Sequence, residues 1–310
     1  MKRVFVLGVL VAAGGLSLVA AGFQAPAGAG QGRGEGRGRG PQGPNVAEIE
    51  KVNDRLYMIT GGGGNTAAFI TDKGVVLVDT KLANWGQAIL DKVKSVTNKP
   101  ITTIINTHTH GDHNGSNEFF GTTVEFVAQE NTKANMEKMD AFKGDKSAFI
   151  PKKTYKDKLS LGKGSDQIDL YYFGRAHTNG DAWVVFRALR AMHSGDAFAG
   201  KTTPIIDANN GGSAVDYGKT LAKAASGIKN VDTIITGHSP RMTPADLKEY
   251  AAFNNDFVAW VKGEIKAGKT VDQAAADYKL PEKYKGYTVS TFLGGIKNNI
   301  QVAYNELGKK

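Results

Sequence analysis

From Asn45 onward the chain reads as short apolar runs punctuated by turn residues, joined later by stretches with helical period. Three β-prone runs come first, at Arg55–Thr60, Thr66–Thr71 and Val75–Asp79. Gly61–Asn65 and the Asp72-Lys73-Gly74 cluster separate them as turns. Ala88, Ile89, Val93 and Val96 recur on one face, which predicts a helix from about Trp85 to Val96. A buried strand is expected at Ile101–Asn106, another at Thr123–Val127, and a helix near Glu130–Met139. The second half repeats the plan. Strands are expected near Lys158–Leu161, Gln167–Phe173, Ala182–Phe186 and Ala188–Met192, then a helix near Tyr217–Ala225 and a strand at Val231–Thr236. Thr243-Pro244-Ala245-Asp246 has the form of a capped helix start, and that helix should run to about Lys266. A last helix is expected over about 289–307, with Val289, Leu293, Ile296, Ile300, Tyr304 and Leu307 on one stripe. Two strand-rich blocks, each followed by helices, predict an α/β fold. Two stacked sheets would carry helices outside, a sandwich of four layers.

The residues before this region differ in character. Lys2 and Arg3 precede an uncharged, mostly apolar run from Val4 to Ala21. Val19-Ala20-Ala21 offers the small residues a signal peptidase reads, with Ala25-Pro26-Ala27 as a second candidate. Residues 1–21 are therefore expected to be a cleaved export signal, and the protein periplasmic or secreted, with no membrane span once the signal is removed. From Gly28 to Gly40 glycine holds every second position. The segment Gly28–Pro44 has no large apolar side chains to bury, and the Gly/Arg/Pro-rich stretch 22–45 reads as a flexible linker. The domain is then 46–310.

Composition narrows the chemistry. Of the net charge of +9, Lys2, Arg3, Arg33, Arg37 and Arg39 against Glu35 give +4, which leaves +5 for residues 46–310. That mild excess forms no dense basic cluster, so nucleic acid is not an expected partner. The 310 residues include no cysteine, which removes disulfides, thiolate metal sites and cysteine nucleophiles. Six histidines remain.

Three of the six, with one aspartate, fall in His108-x-His110-x-Asp112-His113, directly after a predicted strand. A loop can turn all four side chains inward, whereas a regular helix or strand would scatter them. His108 and His110 could hold one ion, and Asp112 and His113 a second nearby. Imidazole nitrogen and carboxylate oxygen suit zinc, with iron or manganese as alternatives.

This motif resembles that of the metallo-β-lactamase superfamily, which carries H-x-H-x-D-H at the end of a strand. Three later segments extend the likeness: Gly174-Arg175-Ala176-His177-Thr178-Asn179-Gly180-Asp181, Ser194-Gly195-Asp196 and Thr236-Gly237-His238-Ser239. The resemblance implies His177 as third ligand of the first metal, Asp196 as the bridge and His238 as last ligand of the second. It also implies that Asp79, in Val75–Thr80, supports the metal loop from behind, and that the fold is the αββα sandwich. His193 matches no ligand position; it either hydrogen-bonds near Asp196 or is structural. Asp181 is expected to cap or orient the His177 loop. Lys201, Tyr171 and Tyr172 stand near predicted strand ends and either contact substrate or serve structure. The segments 140–160 and 200–215 are expected to line the groove, with Gly200–Ser213 as a substrate wall.

The resemblance implies a two-zinc hydrolase whose bridging hydroxide attacks a carbonyl carbon or phosphorus, with Asp112 orienting it. True β-lactamases of the superfamily place Cys or Ser where this chain has Asp196. The expected activity is therefore cleavage of an ester, lactone or amide bond in a small-molecule substrate. The alternatives are a Cys-free metallo-β-lactamase and a non-catalytic zinc-binding or relay protein.

Overall fold

The computed structural model describes residues 45–308. The export-signal and linker assignments fall before Asn45, apart from that residue itself, and lie outside the described residues.

The first sheet has seven strands in sequence order: β1 (Glu48–Asn53), β2 (Leu56–Thr60), β3 (Thr66–Ile70), β4 (Val75–Val78), β5 (Ile101–Ile105), β6 (Glu125–Gln129) and β7 (Lys153–Tyr155). It is antiparallel from β1 to β4 and parallel from β4 to β7. The second sheet comprises β8 (Lys158–Leu161), β9 (Ile168–Tyr171), β10 (Trp183–Phe186), β11 (Ala191–His193) and β12 (Thr233–Ile235), ordered β12-β11-β10-β9-β8. The β11–β12 pair is parallel, the rest antiparallel.

Central strands are apolar on both faces because both faces are covered. In β4, Val76 and Val78 face the second sheet, while Val75 and Leu77 pack with Ile89 and Val93 of α1 (Gly86–Lys94). In β10, Val184 and Phe186 face the first sheet. Trp183 and Val185 face the opposite way, into a core shared with α4 (Ala214–Gly227), α5 (Pro244–Lys266), α6 (Val271–Asp277) and α7 (Gly295–Leu307). Two short helices, α2 (Gly111–Asn114) and α3 (Glu130–Met136), follow β5 and β6. The layers are helix, sheet, sheet, helix, as the patterning predicts.

The differences have physical causes. The last helix starts at Gly295, because Leu293, Gly294 and Gly295 all take positive φ (50°, 82° and 60°) and break the path. Val289 and Leu293 fall off the expected stripe and are exposed. The strand expected at Ala188 begins at Ala191, since Arg187–Leu189 form a 3-10 turn that ends in left-handed Arg190. β1, α2, β7 and α6 are additional elements. β1 is an edge strand rich in charge, Glu-Ile-Glu-Lys-Val-Asn. α6 opens with a Thr270–Gln273 capping box. Among the described residues no helix is long and apolar enough to cross a membrane.

Candidate metal centre

One end of the sandwich collects the loops that leave β4, β5, β9, β11 and β12. The loop after β5 runs extended to His110, whose backbone (φ −71°, ψ 144°) caps the single turn α2. That change of path, extended and then helical, brings His108, His110, Asp112 and His113 to one place. Asp79, just past β4 at φ 65°, anchors them. Its carboxylate accepts from Thr107 N–H (2.8 Å), Thr107 Oγ1 (2.7 Å) and His113 Nδ1 (2.6 Å).

The structure gathers the polar atoms into two groups, within each of which the offered atoms lie within 4.8 Å of one another. The first is His108, His110, His177 and Asp196; the second is Asp112, His113 and His238. All seven residues named from the sequence are present in these groups. Asp196 faces both. Its carboxylate stands 3.2 Å from His113 Nε2, 3.2 Å from His238 Nε2 and 3.7 Å from His177 Nε2.

Each ring of the first group is held from behind. His177 Nδ1 donates to the Ile205 carbonyl at 2.6 Å, and His110 Nε2 donates to Asp207 at 2.6 Å. His108 Nδ1 contacts Thr107 Oγ1 at 3.0 Å. With those positions taken, His110 Nδ1 and His177 Nε2 face each other across 2.9 Å. His108 Nε2 is buried without a hydrogen-bond partner, and so is Asp196 Oδ1. A buried lone pair left without a donor, as at His108 Nε2, is costly in isolation. A divalent cation placed among these atoms satisfies all of them, so the residues fit a metal.

Electrostatics agree for the first group. Burial first, then the neighbours His113 and His177, hold His108 well below the usual imidazole range. Burial and His110 lower His177 to about 4, although Asp196 works the other way. Both keep their lone pairs at neutral pH. Burial would raise Asp196, but His113 and His238 hold it well below the carboxylate range. In the second group, burial pulls His113 down, yet Asp196 and Asp79 carry it well above 6.5. His238 is likewise raised to about 9 by Asp196 and by hydrogen bonds to Asp112 and Asp196, against burial.

Backbone packs hard against this cluster. A Cβ on Gly64 would meet the His113 ring at 2.2 Å, and one on Gly237 would meet Asp196 Oδ1 at 1.9 Å. These close approaches require glycine. His193 accepts from Gly195 N–H at Nδ1 and donates from Nε2 to the Asn65 carbonyl, both at 3.0 Å. It thus holds the turn that carries Asp196, with both ring nitrogens taken up by backbone groups. Asp181 accepts from Thr178 N–H and Oγ1 (2.9 and 2.6 Å), fixing the turn after His177.

Three residues escaped sequence reasoning. Asp207 orients His110. Asn65, a turn residue by sequence, donates to the Thr236 and Ser239 carbonyls (both 2.9 Å) and so ties the glycine run to the His238 loop. Lys81 is wholly buried; its Nζ donates to the Gly64 carbonyl at 2.7 Å. Burial lowers it to about 7, against the pull of Asp79 and Asp112. Lys81 carried only the signal of adjacency to Asp79, and Asp207 only that of an acid in a polar loop.

Gly200–Ser213 acts on the histidines, through Ile205 and Asp207. Lys201 pairs with Asp246 (2.9 Å) and Glu249 (3.2 Å), and Tyr171 bonds Asp169. Tyr172 packs beside the core between the sheets. Part of 140–160 does reach the site. A cavity of about 480 Å³ opens beside Asp112, lined by Leu82, Ala141, Phe142 and Phe149 among others. A second, about 380 Å³, opens beside His238 and Gly63. A larger one of about 580 Å³, beside Val76, Thr102 and Glu125 at the starts of β4, β5 and β6, includes none of the seven residues.

The family model described as the metallo-beta-lactamase superfamily matches residues 59–238. The chain belongs to the metallo-β-lactamase superfamily. A relative described as metallo-beta-lactamase type 2, from Elizabethkingia meningoseptica, is 24% identical over 204 residues, covering 62% of this chain and 78% of its own. The alpha subunit of a 2,4-dinitroanisole O-demethylase from Nocardioides sp. (strain JS1661) is 27% identical over 164 residues, 51% of this chain and 48% of its own. Among solved structures, a metallo-beta-lactamase from Pontibacter korlensis superposes with TM-score 0.59 at 17% identity, over 67% of this chain and 98% of its own. A stereoselective inverting sec-alkylsulfatase from Pseudomonas sp. reaches 0.69 at 16%, over 86% of this chain and 51% of its own. These likenesses establish the metallo-β-lactamase sandwich. Members of the superfamily are mostly hydrolases, and the histidine–aspartate groups here have the donors for divalent metal.

Proposed function

We propose that the protein is an exported, two-zinc hydrolase that cleaves an ester, lactone or amide bond of a small molecule. The observation that carries this reading is the convergence of buried, unpartnered lone pairs, His108 Nε2 and Asp196 Oδ1, on two groups of donors that share one carboxylate. In this reading His108, His110 and His177 hold one ion and Asp112, His113 and His238 the other, with Asp196 between them. When bound, such ions supply Lewis acidity and make water a nucleophile near neutral pH.

The chain's own side chains do the positioning. Asp207 and Ile205 orient the His110 and His177 rings, and Asp79 holds the His113 ring by Nδ1 so that Nε2 faces Asp196 and His238. Asp112 is kept ionised by His238 despite partial burial, and its carboxylate is partly open to the neighbouring cavity. It can accept a hydrogen bond from the attacking water and orient it toward the substrate carbonyl. No serine or cysteine nucleophile is needed, in keeping with a chain that has no cysteine.

The relatives are named as a β-lactamase, a 2,4-dinitroanisole demethylase and a sec-alkylsulfatase, so no single bond type is inherited. A Cys-free metallo-β-lactamase is the second reading, favoured by the relative from Elizabethkingia. Asp196, in the position of a Cys or Ser ligand, speaks for the other hydrolases. The test is a chromogenic panel of ester, lactone, amide and cephalosporin substrates on zinc-loaded protein, with zinc per chain measured alongside. We expect about two zinc ions per chain and turnover of an ester or lactone. Dominant cephalosporin turnover would reverse the ranking. Silence across the panel with both ions bound would leave a metal-binding protein without turnover. Periplasmic or secreted placement is checked by fractionation and N-terminal sequencing; an intact Met1 in the membrane fraction would refute it.

A further inference from the structure

The match to the family model ends at His238, yet the site continues beyond it. The segment from Thr288 to Gly295 returns to the mouth of the centre and sets the Phe292 ring against the His238 imidazole. The ring centroids are 6.4 Å apart and the planes 22° apart. His238 Nε2 lies 3.3 Å from Asp112, so Phe292 extends a flat wall directly from the second donor group. Phe292 is 70% exposed, and its neighbour Leu293 is 45% exposed.

A single exposed apolar residue needs no explanation. Here the exposure is built in. Leu293 is held at φ 50°, ψ 37°, a conformation that costs a non-glycine residue of order 1 kcal/mol and persists only when its surroundings impose it. The surroundings do impose it. Thr203 N–H donates to the Thr288 carbonyl (2.9 Å), Thr288 N–H to the Lys201 carbonyl (3.1 Å) and Ser290 N–H to Thr203 Oγ1 (2.9 Å). Phe292 N–H donates to Ser290 Oγ (3.2 Å), and Asn298 Nδ2 grips the Ile206 carbonyl (3.0 Å). The turn that displays Phe292 is therefore fastened to the loop that orients His110 and His177.

We propose that Phe292 is a specificity-determining residue of this centre, stacking on a neutral aryl group carried by the substrate. The substrate class is then an aryl-substituted ester, lactone or amide in preference to an aliphatic one. This rests on the hydrolase reading for the reaction but not for the binding. Offset or tilted aromatic contact at an exposed face supplies the recognition.

The test compares methyl phenylacetate with methyl acetate as substrates. It also compares the affinities of phenylacetate and acetate by calorimetry, on the zinc-loaded full chain, for wild type, Phe292→Ala and Phe292→Trp. We expect wild type to favour the phenyl compound in both measurements. Phe292→Ala should cut that preference roughly tenfold, about 1.4 kcal/mol, through KM, and Phe292→Trp should retain it. An unchanged preference in Phe292→Ala, or none in wild type, overturns the proposal. If neither ester is turned over but the calorimetric preference depends on Phe292, the aryl site stands and cleavage of simple esters falls, the substrate panel above deciding the hydrolase reading. A wild-type dimer that Phe292→Ala dissociates without altering the preference assigns the patch to self-association and overturns it.

Discussion

Asp207→Ala tests whether the centre depends on what stands behind its rings. The Asp207 carboxylate is almost fully buried, and it accepts from His110 Nε2 at 2.6 Å and from Asn210 Nδ2 at 2.6 Å. Burial would raise its pKa, but the His110 hydrogen bond and Asn210 hold it far below the carboxylate range, so it is ionised at neutral pH. A charge-assisted hydrogen bond of this kind is worth about 1.5–3 kcal/mol. Removing it frees the His110 ring to rotate or to take the other tautomer, either of which withdraws Nδ1 from its group. The corresponding loss of metal affinity is about 10- to 100-fold, the range seen when such supporting partners are removed elsewhere. Asp207→Asn separates charge from geometry, because the amide oxygen can still accept from Nε2–H. The assay is competition with a chelating dye, with zinc counted per chain, and thermal melts of the metal-free proteins beside it. We expect Asp207→Ala to lose at least tenfold and Asp207→Asn less. Wild-type affinity in Asp207→Ala would refute the argument that the loop positions His110.

Three further outcomes follow from the same geometry. Asp112→Ala should lower turnover by roughly 100-fold or more and reduce bound zinc; near wild-type rates would remove Asp112 from the reaction. Gly237→Ala forces a Cβ to 1.9 Å from Asp196 Oδ1, so it should cost about 1–3 kcal/mol of stability and displace metal, read by denaturant midpoint and zinc content; an unaltered midpoint would sink the close-packing claim. Lys81 has a folded pKa of about 7, below the ordinary value of 10.5. Between these values the unfolded chain holds a proton that the folded one lacks, so Lys81 contributes a rise of up to about 1.4 kcal/mol per pH unit from pH 7 to 10 in the metal-free protein, set against the loss from His113 and His238, whose folded pKa values are raised. Lys81→Met should flatten that rise, and parallel profiles for the two proteins would refute it.

Much of this was legible in the sequence because the informative positions obey local rules. Strands such as β4 and β10 are apolar on both faces, so they stand out as runs, and the His108–His113 spacing needs only one turn of backbone to converge. The illegible parts depend on distant partners. β1 carries charges because it is an edge. Leu293 matched a helical stripe but is held outside the helix by two glycines whose left-handed backbone no periodicity encodes. Asp207 and Asn65 looked like loop polarity, and only the fold shows that one meets His110 and the other the His238 loop. Lys81 is a charge in a place that pattern reserves for apolar residues, because its Nζ meets a carbonyl contributed by the glycine run.

The donors of the centre come from both sheets. His108, His110, Asp112 and His113 follow β5 of the first, while His177, Asp196 and His238 hang from the second. The hydrophobic filling between the sheets stops short of them. A cation seated there acts as a clasp across a seam, and its binding energy is added to the adhesion of two slabs that otherwise meet at this end through polar stitches such as Asn65 and His193. Withdrawing metal should therefore loosen the sandwich from this edge first, leaving the opposite end closed.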